Sequence, residues 1–280
     1  MSFVSNTDNP HDAAPVTIVT GGASGIGAAT AALLAQRGHH VVTLDRAPVP
    51  DASLAAAVAD GRLTHIAADL AQEDAVCAAF AAIAHRFGRI DGLVNSAGIE
   101  SRHLLADMNA RDWDRVLDVN LRGTMLCLRE AAPLMRDGGS VVNVASIAGK
   151  RMSYSGDAAY TASKGAVLAF TRHMAFELSG QRIRVNAVCP GPTLTPMIHR
   201  SLSAERIAAV ADTVPLGRWV EAADVAESIA FLLSPAAAMI TGSTIDVDGG
   251  MLVSNGTPHR DYVAARQAHS PKPPPQETRP

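Results

Sequence analysis

Val16-Thr17-Ile18-Val19-Thr20-Gly21-Gly22-Ala23-Ser24-Gly25-Ile26-Gly27 runs from an unbroken series of β-branched residues into a glycine-rich turn, and the Ala/Leu stretch that follows is closed by Gly38. The first part reads as a buried strand and the Ala/Leu stretch as a helix, because these side chains suit a pleated sheet and a helical turn respectively. Glycines between them permit a tight turn and let an anionic group approach backbone N–H groups at a helix N-terminus, where the macrodipole favours negative charge. Gly21, Gly25 and Gly27 give the spacing G-x-x-x-G-x-G in place of the common G-x-G-x-x-G. A plain structural turn has the same composition, so the rest of the chain decides what this one holds.

Working outward, the same alternation repeats. HHVVTLD (39–45), LTHIAAD (63–69), IDGLVN (90–95), GSVVNVAS (139–146), RIRVNAVC (182–189) and STIDVDG (243–249) are further strand candidates. Between them lie helical stretches such as AATAALLAQR (28–37), EDAVCAAFAAIAHRF (73–87) and a long one from Ala110 to Met135. Strand and helix in alternation imply right-handed βαβ units, hence an α/β domain with a doubly wound parallel sheet of about seven strands covered on both faces. No internal repeat recurs at a fixed period. Ligands of such sheets sit beyond the carboxyl ends of the strands. The second strand candidate ends in Asp45, 18 residues past Gly27, near the position of an acidic residue that bonds an adenosine ribose. A solvated strand-end carboxylate is the other reading, and the adjacent Arg46 bears on both. Asp69 and Leu70 close the third candidate, where Asp69 fits either contact with an adenine or a cap on the next helix. Asn95-Ser96-Ala97-Gly98 closes the fourth, and its small residues suit either a backbone passing close to a ribose or an ordinary turn.

Composition narrows the function classes. The chain has 280 residues, is 48% hydrophobic and 18% charged, and carries a formal net charge of -3, which suits one globular α/β domain and leaves no basic face for a phosphate backbone. Nucleic acid is not an expected partner. Residues 1–14 have neither the basic start nor the apolar core of a secretory signal, and no apolar run approaches the ~20 residues of a membrane span. Cys77, Cys127 and Cys189 lie 50 and 62 residues apart, which suits neither a zinc motif nor a disulfide framework, so buried free thiols in a cytoplasmic protein and no metal site are expected. After about Asn255 comes a segment with five prolines in its last ten residues, expected to be mobile or extended. The chain thus divides into an N-terminal tail (1–14), one domain (15–254) and a Pro-rich C-terminal tail (255–280).

The stretch from Tyr154 to Lys164 holds two of the three tyrosines. Tyr160 and Lys164 stand four residues apart in a helical reading, so they share a face, whereas Tyr154 lies in a Ser/Gly-rich loop. A phenol of pKa ~10 beside an ammonium is a plausible proton-transfer device, because the positive charge favours the phenolate. Ser146 follows the fifth strand candidate at the ligand edge and can donate to a substrate oxygen. Asn120 interrupts the long helical stretch, which suits either a buried Asn at a helix irregularity or a functional one.

Thr20-Gly-x-x-x-Gly-x-Gly27, Asp45, Asn95-x-Ala-Gly98, Asn120, Ser146, Tyr160-x-x-x-Lys164 and Pro190-Gly191, in this order, closely resemble the classical short-chain dehydrogenase/reductase family from about Val16 to Met251, including the Asp248-Gly-Gly250 turn. The resemblance implies a single-domain Rossmann-type fold and a nicotinamide dinucleotide held by Gly21, Ser24, Gly25, Ile26, Gly27, Asp45, Asp69, Leu70, Asn95, Ala97, Gly98, Tyr160, Lys164, Pro190, Gly191 and Thr193. It implies that Tyr160 is the acid/base, that Lys164 lowers its pKa and holds the nicotinamide ribose, that Ser146 orients the reacting oxygen and that Asn120 supports a water linked to Lys164. It also implies association through the helices near 110–135 and 157–179, giving a homotetramer, with a dimer next. The chain departs from the family pattern in its Pro-rich tail and in the charged Lys150-Arg151 just past Ser146.

The expected activity is NAD(H)-dependent hydride transfer between nicotinamide and a secondary alcohol or ketone. NADP is less favoured, because a carboxylate at position 45 would face its 2′-phosphate. The competing readings are an NADPH-dependent 3-oxoacyl thioester reductase and a non-catalytic dinucleotide-binding scaffold. The resemblance places the substrate between residues 99–105, 147–157 and 193–218. The polar side chains Glu100, Arg102, His103, Lys150, Arg151 and Tyr154 point to a small polar substrate, hydroxylated or anionic.

Overall fold

The computed structural model of the chain describes residues 14–47, 52–153, 155–194, 203–254 and 256–268. Seven strands form one parallel sheet: β1 (Val16–Thr20), β2 (His40–Asp45), β3 (Leu63–Ala67), β4 (Gly92–Asn95), β5 (Gly139–Val144), β6 (Ile183–Pro190) and, after a short pair introduced below, β9 (Thr244–Val247). Their spatial order is β3-β2-β1-β4-β5-β6-β9, so the winding reverses between β1 and β4. That reversal opens a crevice at the carboxyl ends of β1 and β4, the usual ligand position of such sheets.

The strands are β-branched because both sheet faces are covered. Ile18, Val42, Leu93, Val141 and Val185 point to one side, under α3 (Glu73–Phe87), α5 (Gly123–Ala131) and α6 (Ala158–Glu177). Their neighbours Val19, Val41, Val94, Val142 and Val188 point to the other side, under α1 (Gly25–Gln36), α2 (Ala52–Ala59) and α8 (Ala222–Leu233). Truncating one of the larger of these side chains to Ala costs about 2–5 kcal/mol. The seven strand candidates of the sequence are the seven strands of this sheet.

Three features differ from expectation. The stretch 110–135 is not one helix: α4 (Ala110–Leu117) passes through a π-helical turn at Asp118–Arg122 into α5, and a 3₁₀ turn (Ala132–Leu134) ends it. Asn120 sits in the widened turn, as an Asn at a helix irregularity would. A two-stranded pair, β7 (Thr193–Leu194) with β8 (Val220–Glu221), is too short to leave a periodic pattern in the sequence. Part of the C-terminal segment expected to be mobile or extended is helical, α9 (His259–Ala268). Its sequence HRDYVAARQA lacks proline, Pro258 stands just before it with its carbonyl accepting from the Asp261 and Tyr262 N–H groups, and Arg260 pairs at 3.3 Å with Asp212, just past α7 (Ala204–Ala211). Cys127 and Cys189 are buried as expected, whereas Cys77 is half-buried, and all three are free thiols.

Candidate active site

At the end of β1 the chain makes its turn from backbone alone. Gly21 and Gly25 take φ of +67° and +54°, a left-handed conformation that a Cβ opposes. A Cβ on Gly21 would stand 2.8 Å from Ala97 Cα, and one on Gly27 would strike the Gly21 carbonyl. Thr20 Oγ1 accepts from the Ser96 and Ala97 N–H groups at 3.0 and 3.1 Å, tying this turn to the segment after β4. The first turn of α1 has no acidic residue and Ser24 makes no side-chain cap, so its N–H groups keep their capacity for an anion.

Asp45, at the end of β2, accepts from Ala23 N at 3.1 Å and from Ala47 N at 3.0 Å. Its carboxylate therefore stands beside the glycine-rich turn, while Arg46 is exposed. Asp69 accepts from Ala71 N at 3.0 Å. It does not cap the next helix, whose N-cap is Gln72. Leu70 is buried, and a Cβ on Gly123 would stand 3.1 Å from it. Asn95 turns inward: its Nδ2 donates to Asn143 Oδ1 at 2.9 Å, Asn143 Nδ2 donates to Thr171 Oγ1 at 2.9 Å, and the buried Asn95 Oδ1 has no partner in the protein.

The chemical end lies across the crevice. Ser146 follows β5, and its Oγ accepts from Ala148 N at 3.0 Å, which leaves its O–H free to donate. Asp157 caps α6 by accepting from Tyr160 N at 3.1 Å, and it also accepts from His103 N at 3.2 Å. This fixes the first turn of α6, which carries half-buried Tyr160, against the loop after β4. Lys164, one turn on, is 5% exposed. Its Nζ donates to the Val144 carbonyl at 2.8 Å and lies 5.8 Å from the Tyr160 ring centre. Asn120 accepts from Ile99 N at 2.8 Å and donates to Ile99 O at 2.9 Å and to Ser163 Oγ at 3.0 Å. A Cβ on Gly98 would press on Asn120 Oδ1 at 3.3 Å and Lys164 Nζ at 3.4 Å. Asn120, Ser146, Tyr160 and Lys164 thus converge on one end of the crevice.

Burial acts on both ionisable groups. It pushes the Lys164 ammonium down to about 8, since a charge in an apolar setting is disfavoured. It also raises the Tyr160 phenol, with the nearby Ser146 hydroxyl pulling the other way and the Glu100 carboxylate adding to the rise. The expected lowering of Tyr160 by Lys164 is therefore not the net result. Desolvation of the phenolate is the largest cause at Tyr160, and one N–H of the Lys164 ammonium is engaged with the Val144 carbonyl. Past β6, the Gly191 N–H donates to Val247 O at 2.9 Å, Thr193 Oγ1 donates to Gly191 O at 3.0 Å, and a Cβ on Gly191 would stand 2.8 Å from Asp248 Cα. Pro190 ends β6 within this third wall, and Tyr154 lies outside the described residues.

Comparison with known proteins identifies the family. The family model described as "Enoyl-(Acyl carrier protein) reductase" matches residues 21–252. A 3-oxoacyl-[acyl-carrier-protein] reductase of Synechocystis is 40% identical, over 86% of this chain and 98% of that one. A cis-4-hydroxycyclohexanecarboxylate dehydrogenase of Sinomonas cyclohexanicum is 41% identical, over 84% of this chain and 95% of that one. The ligand-free structure of an aldohexose dehydrogenase of Thermoplasma acidophilum superposes with a TM-score of 0.80 at 31% identity, covering 87% of this chain and 96% of that one. The chain belongs to the classical short-chain dehydrogenase/reductase family.

As a short-chain dehydrogenase/reductase it is an oxidoreductase acting on CH–OH or keto groups, of a family that binds a nicotinamide cofactor. The residues present fit such a cofactor: an acid-free helix start and a turn with no room for a Cβ at Gly21 or Gly27 suit a pyrophosphate, and Asp45 beside them suits a ribose. Among the described residues no helix is long and apolar enough to cross a membrane. Sequence reading missed several residues that build the site. Asp157 carried a legible signal, an Asp directly before a helical run. Gly149 and Gly156 did not: a Cβ on either would meet the Lys164 carbonyl at 2.7 Å or the Tyr160 ring at 2.6 Å, a closeness that exists only once the chain is folded. Asn143, Thr171 and Ser163 are likewise defined only by their buried partners.

Proposed function

We propose that the chain is an NAD(H)-dependent dehydrogenase of secondary alcohols, or reductase of the matching ketones, with Tyr160 as acid/base. The convergence of Asn120, Ser146, Tyr160 and buried Lys164 carries this reading, since a non-catalytic scaffold gains nothing from burying an ammonium. Gly21, Ser24, Gly25, Ile26 and Gly27 would hold the pyrophosphate, Asp45 the adenosine ribose, and Asp69 and Leu70 the adenine side. Ala97, Gly98 and Lys164 would hold the nicotinamide ribose, with Pro190, Gly191 and Thr193 against the carboxamide. The Asn95 side chain supports this wall through Asn143, and its backbone would pass close to a ribose.

When bound, the nicotinamide supplies the hydride acceptor or donor. In oxidation the Tyr160 oxygen takes the hydroxyl proton of the substrate, and in reduction its O–H returns a proton to the carbonyl oxygen. Ser146 donates to that same oxygen and fixes it beside Tyr160, a positioning effect. One Lys164 N–H is engaged with Val144 O, which leaves two donors for a ribose and for a water held near Asn120. A raised phenol keeps its proton at neutral pH, so the cofactor-free protein is set to donate one.

Asp45 favours NAD(H), because its carboxylate would repel a 2′-phosphate at close range. The Synechocystis relative's name and the exposed Arg46 support the second reading, an NADPH-dependent reductase of 3-oxoacyl thioesters. An NADH and NADPH absorbance screen over sugars, polyols, hydroxy acids, cyclic alcohols and acyl thioesters separates the two. Turnover of acyl thioesters with NADPH alone would replace the first reading with the second, and cofactor binding without any turnover would favour a scaffold. A cytoplasmic homotetramer completes the proposal: Leu117, Leu121, Met125 and Phe170 line an apolar groove on α4–α6 that self-association would cover. Light scattering that shows a stable monomer would refute the assembly.

A further inference from the structure

The charged Lys150-Arg151 step just past Ser146 has no part in the proton transfer, and both side chains turn toward the last strand of the sheet. Lys150 ends the 3₁₀ turn Ile147–Gly149 and reaches from there to β9. Its Nζ donates to Asp246 Oδ1 at 2.5 Å and to Thr244 Oγ1 at 3.0 Å. The side chains of Lys150 and Asp246 are 27% and 35% exposed, so the pair is shielded from solvent and salt more than one on an open surface. Arg151 brings Nη1 to 3.5 Å from the Met251 carbonyl, in the turn after β9.

The turn that Lys150 ends is the one that holds Ser146. Ser146 Oγ accepts from Ala148 N and the Ser146 carbonyl from Gly149 N, each at 3.0 Å, while the Ile147 carbonyl accepts from the N–H groups of Lys150 and Arg151 at 2.9 and 3.0 Å. On one side the turn lies directly on α6, where a Cβ on Gly149 would stand 2.7 Å from the Lys164 carbonyl. On another side it is fastened to β9 by Lys150. The residue after Asp246 holds the Pro190–Thr193 wall, since Val247 O accepts from Gly191 N at 2.9 Å. The Ser146 side and the Gly191 side of the crevice therefore meet at one strand.

We propose that Lys150 is a positioning residue: by pairing with Asp246 it ties the Ser146 turn to the strand that holds Gly191, and so sets where Ser146 holds the reacting oxygen relative to the Pro190–Thr193 wall. The inference rests on the reading of Ser146 as the residue that orients that oxygen. Two of the three Lys150 N–H groups are bonded to β9, which makes this lysine a strut and not the substrate contact that its place in the sequence suggests. Without the pair the turn keeps its own backbone bonds and its seat on α6, but it loses its outer fastening. A misplacement of about 1 Å at such a group can cost up to about a hundredfold in rate. Because the pair lies at the edge of the sheet, it can be broken without emptying the core.

The test uses Lys150→Met and Asp246→Asn, singly and together, in the full-length protein. Hydrogen exchange in the cofactor-free protein is expected to run about fivefold faster at the Ala148 and Gly149 amides, which bond Ser146, in either single variant, with β5 unchanged. With NADH and the ketone that the absorbance screen selects, kcat should fall roughly tenfold while KM stays within about twofold, the mark of lost orientation and not of lost binding. The double variant should be no slower than the slower single one, because both substitutions break the same pair. Wild-type exchange in both single variants would overturn the proposal, and so would rate losses that multiply in the double variant. A KM that rises while kcat holds, as a direct substrate contact gives, would also overturn it, as would an unchanged kcat in a protein that Ser146→Ala disables. Because hydrogen exchange needs no turnover, faster exchange in a protein whose kcat Ser146→Ala leaves untouched would uphold the strut and sink the reading of Ser146 instead.

Discussion

At the glycine-rich turn the chain builds a binding surface from backbone, whereas at Tyr160 and Lys164 it builds one from ionisable side chains taken out of water. The first end works by what it lacks: no Cβ at Gly21 or Gly27 and no acid at the start of α1. The second end works by what it buries: an ammonium pushed down to about 8 and a phenol raised above its ordinary value. A backbone surface is fixed by sterics and is indifferent to pH. A buried ionisable pair is sensitive to pH and replaceable in shape. The two ends should accordingly fail in different ways when altered.

The sharpest separation is Tyr160→Phe. Removing the phenol oxygen should cost about 10²–10⁴-fold in kcat, the range of a general acid/base, while NADH affinity stays within a few-fold. Stopped-flow turnover with fluorescence titration of NADH measures both, and a near wild-type kcat would end the assignment. Next in size is Asp45→Ser. Lost ribose hydrogen bonds and lost repulsion should shift the NADH/NADPH ratio of kcat/KM by roughly a hundredfold toward NADPH. Comparable use of the two cofactors by the wild type would mean that Arg46 governs the choice.

How far each end could be read from the sequence follows the same division. The glycine-rich turn was legible because a turn that excludes Cβ atoms has to be written in glycine, and the seven strands were legible because sheets covered on both faces have to be β-branched. Tyr160 and Lys164 were legible as a spacing, but their protonation was not. The net rise at Tyr160 depends on how much water the folded crevice removes, and no four-residue interval encodes that. Asn95 shows the opposite limit. Its place at the end of β4 fits a ribose contact, yet its side chain turns into the core toward Asn143, a partner 48 residues away. The helix α9 was missed because the prolines of its surroundings dominated the composition of a segment whose own ten residues include none.

At the backbone end, Gly21→Ala forces a left-handed φ of +67° on an L residue and sets its Cβ 2.8 Å from Ala97 Cα. Overpacking of this kind costs about 1–3 kcal/mol. For a domain of this size that lowers the melting temperature by about 2–4 °C per kcal/mol. Dinucleotide affinity should fall with it, and the loss should be the same at pH 7 and pH 9.5, since nothing titrates there. A loss that varied with pH would blur the contrast between the two ends.

The pH-dependent counterpart is Lys164→Met. Lys164 has a pKa of about 8 in the folded chain against 10.5 when exposed. Between those values the unfolded chain binds more protons than the folded one, so stability contributed by this position rises with pH. Below about pH 8 the folded protein carries the full cost of a buried ammonium, and the cost fades as pH climbs toward 10.5. Methionine has no charge to bury, so it escapes this cost at every pH, although it leaves the Val144 carbonyl without the donor that Lys164 supplied at 2.8 Å. The orphaned carbonyl costs about 1–3 kcal/mol, but that cost does not depend on pH. The difference in melting temperature, variant minus wild type, should therefore be more positive at pH 7 than at pH 9.5, corresponding to roughly 1–2 kcal/mol, whatever its sign at either pH. Calorimetry at both values measures it, and a difference that stayed flat would mean that Lys164 keeps an ordinary lysine pKa. In that case the chemical end, like the glycine turn, would be fixed by shape alone.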